Sequence, residues 1–507
     1  MRSVMLGIII GLVSCAVDES VAKLDDSPSL GKPKKQTSIS ACSQDPRVLL
    51  GLASIDVCIG AELFFREPFG GNGRTCATCH PAAHNFTVDP LFIASLPPAD
   101  PLFIAENNAV LSQLEMPALM RQFGLILENL DGTTSPTTKF VMRSVPHMFA
   151  LATSVTAPPL PTPDGTTRPP NQRTGWAGDG APNAGELRDF QTGAVIQHYT
   201  KSLNRAEGVD FVLPVASELE AILTFVATIG RTNDIDLTSA SLTDSGAELG
   251  RLTYLDPIKR CNGCHRNAGA NVAAGFNRNF NTGVENARLP DLNSLGIPRD
   301  GGFGGQNLPN FDHDSDGDGV LDSFGNGTFN TPPLIEAADT APFFHTNAFT
   351  TLESAIGFYT TRAFAQSASG NGNPIPLTSA DISNIGRFLR VVNAAMNCQL
   401  ALARIDGLVL IIDDQKNHNA DMQRTLAQLA LNEVSDALAD LTGVTSLNAS
   451  AQMLLQSALV DLQTAATHAS HTQRLRGAQS ARDSISAANS SLGNGMTFVM
   501  GAGSFMF

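Results

Sequence analysis

The sequence predicts a mainly α-helical protein built from two similar units with long loops, followed by a helical hairpin or bundle. Three observations carry that prediction. The string C-x-x-C-H occurs twice, as Cys76-Ala77-Thr78-Cys79-His80 and as Cys261-Asn262-Gly263-Cys264-His265. Capping signals open amphipathic segments within both units, with apolar residues at helical spacing. From about Asn397 the composition turns to Ala, Leu, Gln and Ser, with helical periodicity through Ile411, Leu426, Leu429, Leu438, Leu454, Leu459 and Leu462.

C-x-x-C-H is the pattern by which two thiols add to the vinyl groups of a haem while the next histidine ligates its iron. Both thioethers must sit on one porphyrin edge, and the following residue must turn beneath the metal. A zinc site would draw four ligands from the two cysteine pairs, but it does not require a histidine after each. The two units are therefore expected to be cytochrome c-like haem domains, residues 42–230 and 231–396, carrying two covalently bound haem c groups. Residues 397–507 form the helical extension.

In chain order, Met1-Arg2-Ser3, an apolar run from Val4 to Val13 and Ser14-Cys15 read as a lipoprotein export signal over residues 1–14, with Cys15 lipidated. The run is too short to span a bilayer. Ala16 rather than Asp after Cys15 points, by analogy with bacterial lipoprotein sorting, to the outer membrane. The expected location is the periplasm or cell envelope, and ordinary cleavage would leave a soluble periplasmic protein. Residues 15–41, rich in Ser, Lys and Asp, form a tether. Export agrees with c-type haem, which is attached outside the cytoplasm. Of the eight cysteines, Cys42 and Cys58 are placed to form a disulfide in an oxidising compartment, and Cys398 lies in an apolar helix as a buried thiol.

The first unit ends on a helix opened by a capping box at Ser217–Glu220 and stopped by Gly230, after a Pro/Thr-rich loop over 157–175. A polar connector, about 232–244, leads to the second unit. There a Gly/Asn/Asp-rich excursion over 269–330 precedes helices opened at Thr350–Glu353 and Thr378–Asp381. His468 and His471, one turn apart in the extension, read as surface histidines, and the Gly/Phe/Met-rich end reads as a frayed tail.

A formal charge of -15 over 507 residues argues against a nucleic-acid partner and against a basic membrane-binding patch. An acidic surface instead steers a positively charged electron-transfer partner. Asp314, Asp316, Asp318 and Asp322, with Gly319 and Leu321, reproduce the first nine positions of an EF-hand-like loop and predict bound calcium. The Glu of the twelfth position is missing, so the loop is closer to those of extracellular repeats.

From about Cys58 to Met396 the chain resembles the bacterial di-haem cytochrome c peroxidase/MauG superfamily. The matching segments are Gly73-Arg74-Thr75, Arg143-Ser144-Val145-Pro146, the Trp176 segment and Thr340-Ala341-Pro342-Phe343-Phe344-His345. The resemblance implies a reactive iron at His80 and an electron-relay iron at His265. It makes Tyr359, fourteen residues after His345, the sixth ligand of the relay iron, where peroxidases of the family place methionine and MauG-type enzymes tyrosine. It places Trp176, the one tryptophan of the chain, between the two haems, and assigns the carbonyls of Thr340 and Pro342 to an inter-domain calcium. On the residues alone, Tyr359 and Trp176 also read as core aromatics.

Two positions depart from the family. Peroxide cleavage needs a distal base and a polar group to move a proton. Where family peroxidases carry Gln and Glu, this chain has Phe190 and Thr200. An apolar Phe190 is similar to the distal pocket of rubber oxygenases. Gln191, His198 and His147 are the nearby acid/base candidates. Three functions follow: a peroxidase-like oxidoreductase acting on hydrogen peroxide or dioxygen, with a cytochrome c or cupredoxin as redox donor; a haem dioxygenase acting on an apolar substrate; and an electron carrier without turnover.

Overall fold

The computed structural model describes residues 40–129, 139–155, 175–178, 186–303, 324–443 and 446–506. The expected export signal with Cys15, nearly all of the tether, and Asp314, Asp316, Asp318 and Asp322 lie outside the described residues. The chain is mainly helical, with short antiparallel strand pairs.

Both halves follow one plan. In the first, α1 (Ile55–Arg66), capped by the Ser54 side chain on the Val57 N–H, leads to the single turn α2 (Cys76–Cys79). Strands β1 (Leu125–Asn129) and β2 (Phe140–Ser144) then pair with Leu125 opposite Ser144, and α3 (Leu187–His198) and α4 (Ala216–Val226) follow. In the second, α5 (Ser245–Leu255), capped by Asp244 on the Ala247 N–H, leads to α6 (Cys261–Cys264), α7 (Leu352–Phe358) and α8 (Ser379–Gln415). The helix before each motif crosses the helix closing its unit at a glycine. A Cβ at Gly60 would lie 2.0 Å from the Ala221 carbonyl oxygen, and one at Gly250 only 1.9 Å from that of Asn384. Both crossings need a residue without a side chain.

Helix α8 continues without a break through Asn397, so the change in composition there marks no boundary in the chain path. With α9 (Ala420–Thr442), α10 (Ala449–Thr467) and α11 (His471–Leu492) it forms a closed four-helix bundle, each helix packing on the next and α11 returning to α8. Helix α8 is long and apolar enough to cross a bilayer, yet Phe388, Val392, Met396, Leu400 and Ile405 are fully buried against α5, α9 and α11. It is the spine shared by the second unit and the bundle.

The Cys42–Cys58 disulfide is present, and Cys398 is fully buried. Thr378 and Asp381 cap α8 reciprocally, as the sequence predicts. The other two caps sit elsewhere. Helix α7 is capped by Thr351 with Ser354, one residue later than predicted. Helix α4 starts from Val215, whose N–H donates to Glu218 Oε2 at 2.8 Å, so the predicted Ser217–Glu220 box does not form and Ser217 lies inside the helix. The C-terminal tail is docked rather than frayed. Strand β3 (Ser241–Leu242) pairs with β4 (Gly493–Asn494), the Met500 backbone bridges to Arg231, and Met496, Phe498, Ser504 and Met506 are buried. Buried methionine and phenylalanine side chains repay the ordering of an otherwise unstructured end.

Candidate functional site

One cavity of about 960 Å³ is lined by both C-x-x-C-H motifs. The two turns have nearly the same backbone geometry. His80 caps α2 at φ -121°, ψ 63°, and His265 caps α6 at φ -116°, ψ 69°. Each histidine N–H bonds the carbonyl of its first cysteine, at 3.0 Å and 3.2 Å. His80 Nδ1 lies 2.8 Å from the Phe86 carbonyl and His265 Nδ1 lies 2.9 Å from that of Pro332. A carbonyl only accepts, so Nδ1 carries the proton in both rings and Nε2 keeps a free lone pair. Burial lowers both imidazoles to about 4, which keeps them neutral.

The surroundings hold each turn rigid. Ahead of Cys76, buried Arg74 pairs with buried Glu115 at 2.8 Å and donates to the carbonyls of Pro101 and Leu102. In the second motif, Asn262 Oδ1 accepts the Asn267 N–H at 2.8 Å, and the Tyr254 hydroxyl donates to the His265 carbonyl. Burial raises the Cys76 thiol to about 11 and the Cys79 and Cys261 thiols to about 12, so they are neutral and unpaired at neutral pH.

The segments that carry the family resemblance meet at this cavity. Trp176 donates its indole N–H to the Ser144 carbonyl at 2.8 Å, and its own carbonyl accepts the Asn330 N–H at 2.8 Å. Ser144 in turn donates its N–H to the His345 carbonyl at 2.6 Å and its hydroxyl to that of Phe344 at 3.1 Å. Arg143, beside it, holds buried Asp300 through two bonds of 2.6 Å. Trp176, Tyr359, Thr340 and Pro342 all line the cavity, with Tyr359 in an aromatic cluster with Phe344, Phe358 and Phe364. Burial, and then the neighbouring Cys264 and Cys261, raise the Tyr359 hydroxyl above its ordinary range.

Helix α3 turns Phe190, Gln191, Ala194 and His198 toward the same space. Burial, Arg74 and Arg205 lower His198 to about 3, and its Nδ1 has no hydrogen-bond partner. Gln191 Oε1 and His147 Nδ1 are likewise buried without a partner. Thr200 does not line the cavity: it is fully buried and its hydroxyl donates to the Ser202 carbonyl. The sequence reading missed Tyr199, whose hydroxyl lies 3.2 Å from Cys76 Sγ, and Tyr254. Rarity was the available signal, since the chain has three tyrosines and one tryptophan and all four line this cavity.

No protein-family model and no curated protein matches the chain. Among solved structures it is similar to that of a MauG-like protein associated with microbial copper homeostasis, at 17% identity. The match covers 66% of this chain and 89% of that one, with a TM-score of 0.33.

The residues fit haem c on their own geometry. Each pair of unbonded cysteines sits on one helical turn, the following imidazole presents a bare Nε2, and the cavity is at the large end of the about 300–1,000 Å³ usual for ligand sites. Among the described residues no three His, Cys, Asp or Glu side chains converge on a point, so the four cysteines are not gathered as a zinc tetrahedron requires.

Proposed function

We propose that the chain is an exported di-haem c-type oxidoreductase that reduces hydrogen peroxide, or activates dioxygen, on the His80 side of the cavity with electrons arriving from the His265 side. The observation that carries this reading is the pair of C-x-x-C-H turns, matched in backbone geometry and in Nδ1 bonding, on the wall of one cavity. Haem c, when bound, supplies an iron for oxygen chemistry at one site and an iron for electron storage at the other.

The residues of the chain have separable tasks. His80 and His265 would hold the irons through Nε2, and the carbonyls of Phe86 and Pro332 fix the orientation of the two rings. Phe190 excludes water from the reactive face, while Gln191 and His198 hold unpartnered polar atoms within reach of it for moving a proton. Trp176 stands in the wall common to both motifs, fixed by Ser144, where an indole shortens the electron path. Tyr359 offers a hard oxygen ligand on the His265 side. The same reading places calcium at the Asp314–Asp322 loop and at the Thr340 and Pro342 carbonyls. It also places a lipid anchor at Cys15, facing the periplasm from the outer membrane, and a cytochrome c or cupredoxin as donor.

A second reading, a dioxygenase cleaving an apolar substrate, is favoured by the apolar wall of Phe190, Leu187, Ile222, Val226 and Met148. Peroxide consumption by the haem-loaded protein, with a reduced cytochrome c as donor, separates the two. Donor-dependent turnover supports the first; its absence together with oxygen-dependent cleavage of an unsaturated hydrocarbon supports the second. Neither activity leaves an electron carrier.

A further inference from the structure

Among the described residues the cavity meets solvent on the His265 side. Every exposed residue of its wall belongs to the second unit, Arg260, Gly263, Ala273, Ala274 and Arg278 among them. The lip carries little side-chain bulk. A Cβ at Gly263 would meet nothing within 4 Å. A tight turn, closed by the Val272 N–H on the Phe276 carbonyl at 3.0 Å, presents Ala273 and Ala274. Ile258, just ahead of Arg260, is 68% exposed.

The charge at this lip is opposite to that of the chain. Residues 257–284 hold Lys259, Arg260, Arg266 and Arg278 and no Asp or Glu, in a chain of 48 acidic and 33 basic residues. Lys259 pairs with Asp381, but Arg260, Arg266 and Arg278 form no ion pair among the described residues. Neutral groups orient them instead. Arg260 Nη1 donates to Asn373 Oδ1 at 2.6 Å, Arg266 Nη1 donates to the Ala273 carbonyl at 2.9 Å, and Arg278 lies over the Phe280 ring at 5.5 Å. Burial raises the Cys264 thiol while Arg260 and Arg278 act against it, which puts both guanidinium groups beside that cysteine. Ahead of the first motif, by contrast, Arg74 is buried and paired with Glu115.

We infer that this lip is the docking face for the electron donor, and that the donor is a small redox protein with acidic side chains around its own redox centre. The inference rests on the di-haem reading and names the partner of its His265 side. A haem attached at Cys264 has its thioether edge at this face, and that edge is opposite the one that carries the propionates. The arginines are therefore left for a partner rather than for the haem's own carboxylates. In each encounter the donor is oxidised by one electron and the ferric iron of the His265 site is reduced to ferrous; no other group is transferred. Glycine and alanine at the lip permit close approach, and the unpaired cations steer and orient an acidic face. The net charge of -15 alone suggests a positively charged partner. Charges beyond about 8–10 Å are largely screened at physiological salt, so the field at the lip decides the docked orientation.

The test uses the full-length, haem-loaded, oxidised protein and follows haem reduction by stopped flow with two reductants, an acidic plant-type ferredoxin and a neutral reduced flavin. Reduction by the ferredoxin slows by about tenfold or more between about 20 and about 500 mM salt. At low salt R260E/R278E slows it by about tenfold or more, while reduction by the flavin stays unchanged. R424E/R482E carries the same change of charge on α9 and α11 of the bundle and leaves both rates near those of the wild type. A ferredoxin rate that is equal in R260E/R278E and wild type, that rises with salt, or that falls equally in R424E/R482E overturns the proposal. So does an equal loss with the flavin, which would place the effect in the haem rather than in docking. A protein with no flavin-reducible haem overturns the di-haem reading, and this face with it.

Discussion

The imidazole of His80 donates through Nδ1 to the carbonyl of Phe86 at 2.8 Å. That bond fixes the tautomer, turns Nε2 into the cavity, and is reproduced by His265 on Pro332. The acceptors lie 6 and 67 residues downstream of their histidines, so two different chain paths deliver the same ligand geometry.

The two attachment sites are expected to load independently. Replacing Cys76 and Cys79 by Ala removes one covalent haem from the intact mass, and replacing Cys261 and Cys264 removes the other. A wild-type mass without covalent haem contradicts both assignments.

Trp176→Phe keeps an aromatic ring but leaves the Ser144 carbonyl without its donor. Losing that bond costs about 1–2 kcal/mol, read as a lower denaturation midpoint. Both haems are retained while donor-dependent turnover falls, since the oxidisable indole is gone. Unchanged turnover removes Trp176 from the electron path.

Phe190→Gln restores a polar group over the His80 side of the cavity. Peroxide turnover is expected to rise by about tenfold or more. An amide without a full set of partners there costs about 1–3 kcal/mol of stability, read in the thermal midpoint. A fall in turnover without a loss of haem would mean that the apolar lid is not what limits peroxide chemistry.

The Arg143–Asp300 pair gives the protein an acid-sensitive brace behind Trp176. Burial raises the Asp300 carboxyl, but Arg143, His345 and the Gly302 N–H more than offset it, and the group lies below its ordinary value of 3.8. Its folded pKa is depressed, so its stabilisation is present above about pH 3.8 and is lost as pH falls through the folded value. Denaturation midpoints measured between about pH 2 and pH 6 should fall at the acid end. Asp300→Asn flattens that dependence and lowers stability at neutral pH by about 3 kcal/mol, because buried Arg143 loses the charge of the partner that it holds through two bonds.

The local features were legible in the sequence for physical reasons. A thiol pair and a histidine on one turn, a Thr378/Asp381 box and a short-range disulfide each depend on residues close in the chain. Chain order alone did not reveal what depends on distant packing. Val215 rather than Ser217 starts α4, because the Glu218 carboxylate accepts from the Val215 N–H and holds the chain into the helix two residues earlier. The tail docks because Gly493–Asn494 finds an open strand edge at Ser241–Leu242. Thr200 leaves the cavity because α3 ends at His198 and the chain turns, with Asn72 bonding the carbonyls of both His198 and Thr200. Asn85 donates to Asp436 across 351 residues of chain, and no local pattern announces that contact.

Electron paramagnetic resonance of the oxidised, haem-loaded protein tests the central claim, that the two C-x-x-C-H sites are chemically unequal. Two ferric signals are predicted, one high-spin from an open site at His80 and one low-spin from a six-coordinate site at His265 that changes in Tyr359→Phe. Two low-spin signals of equal intensity, both indifferent to that substitution, would contradict it.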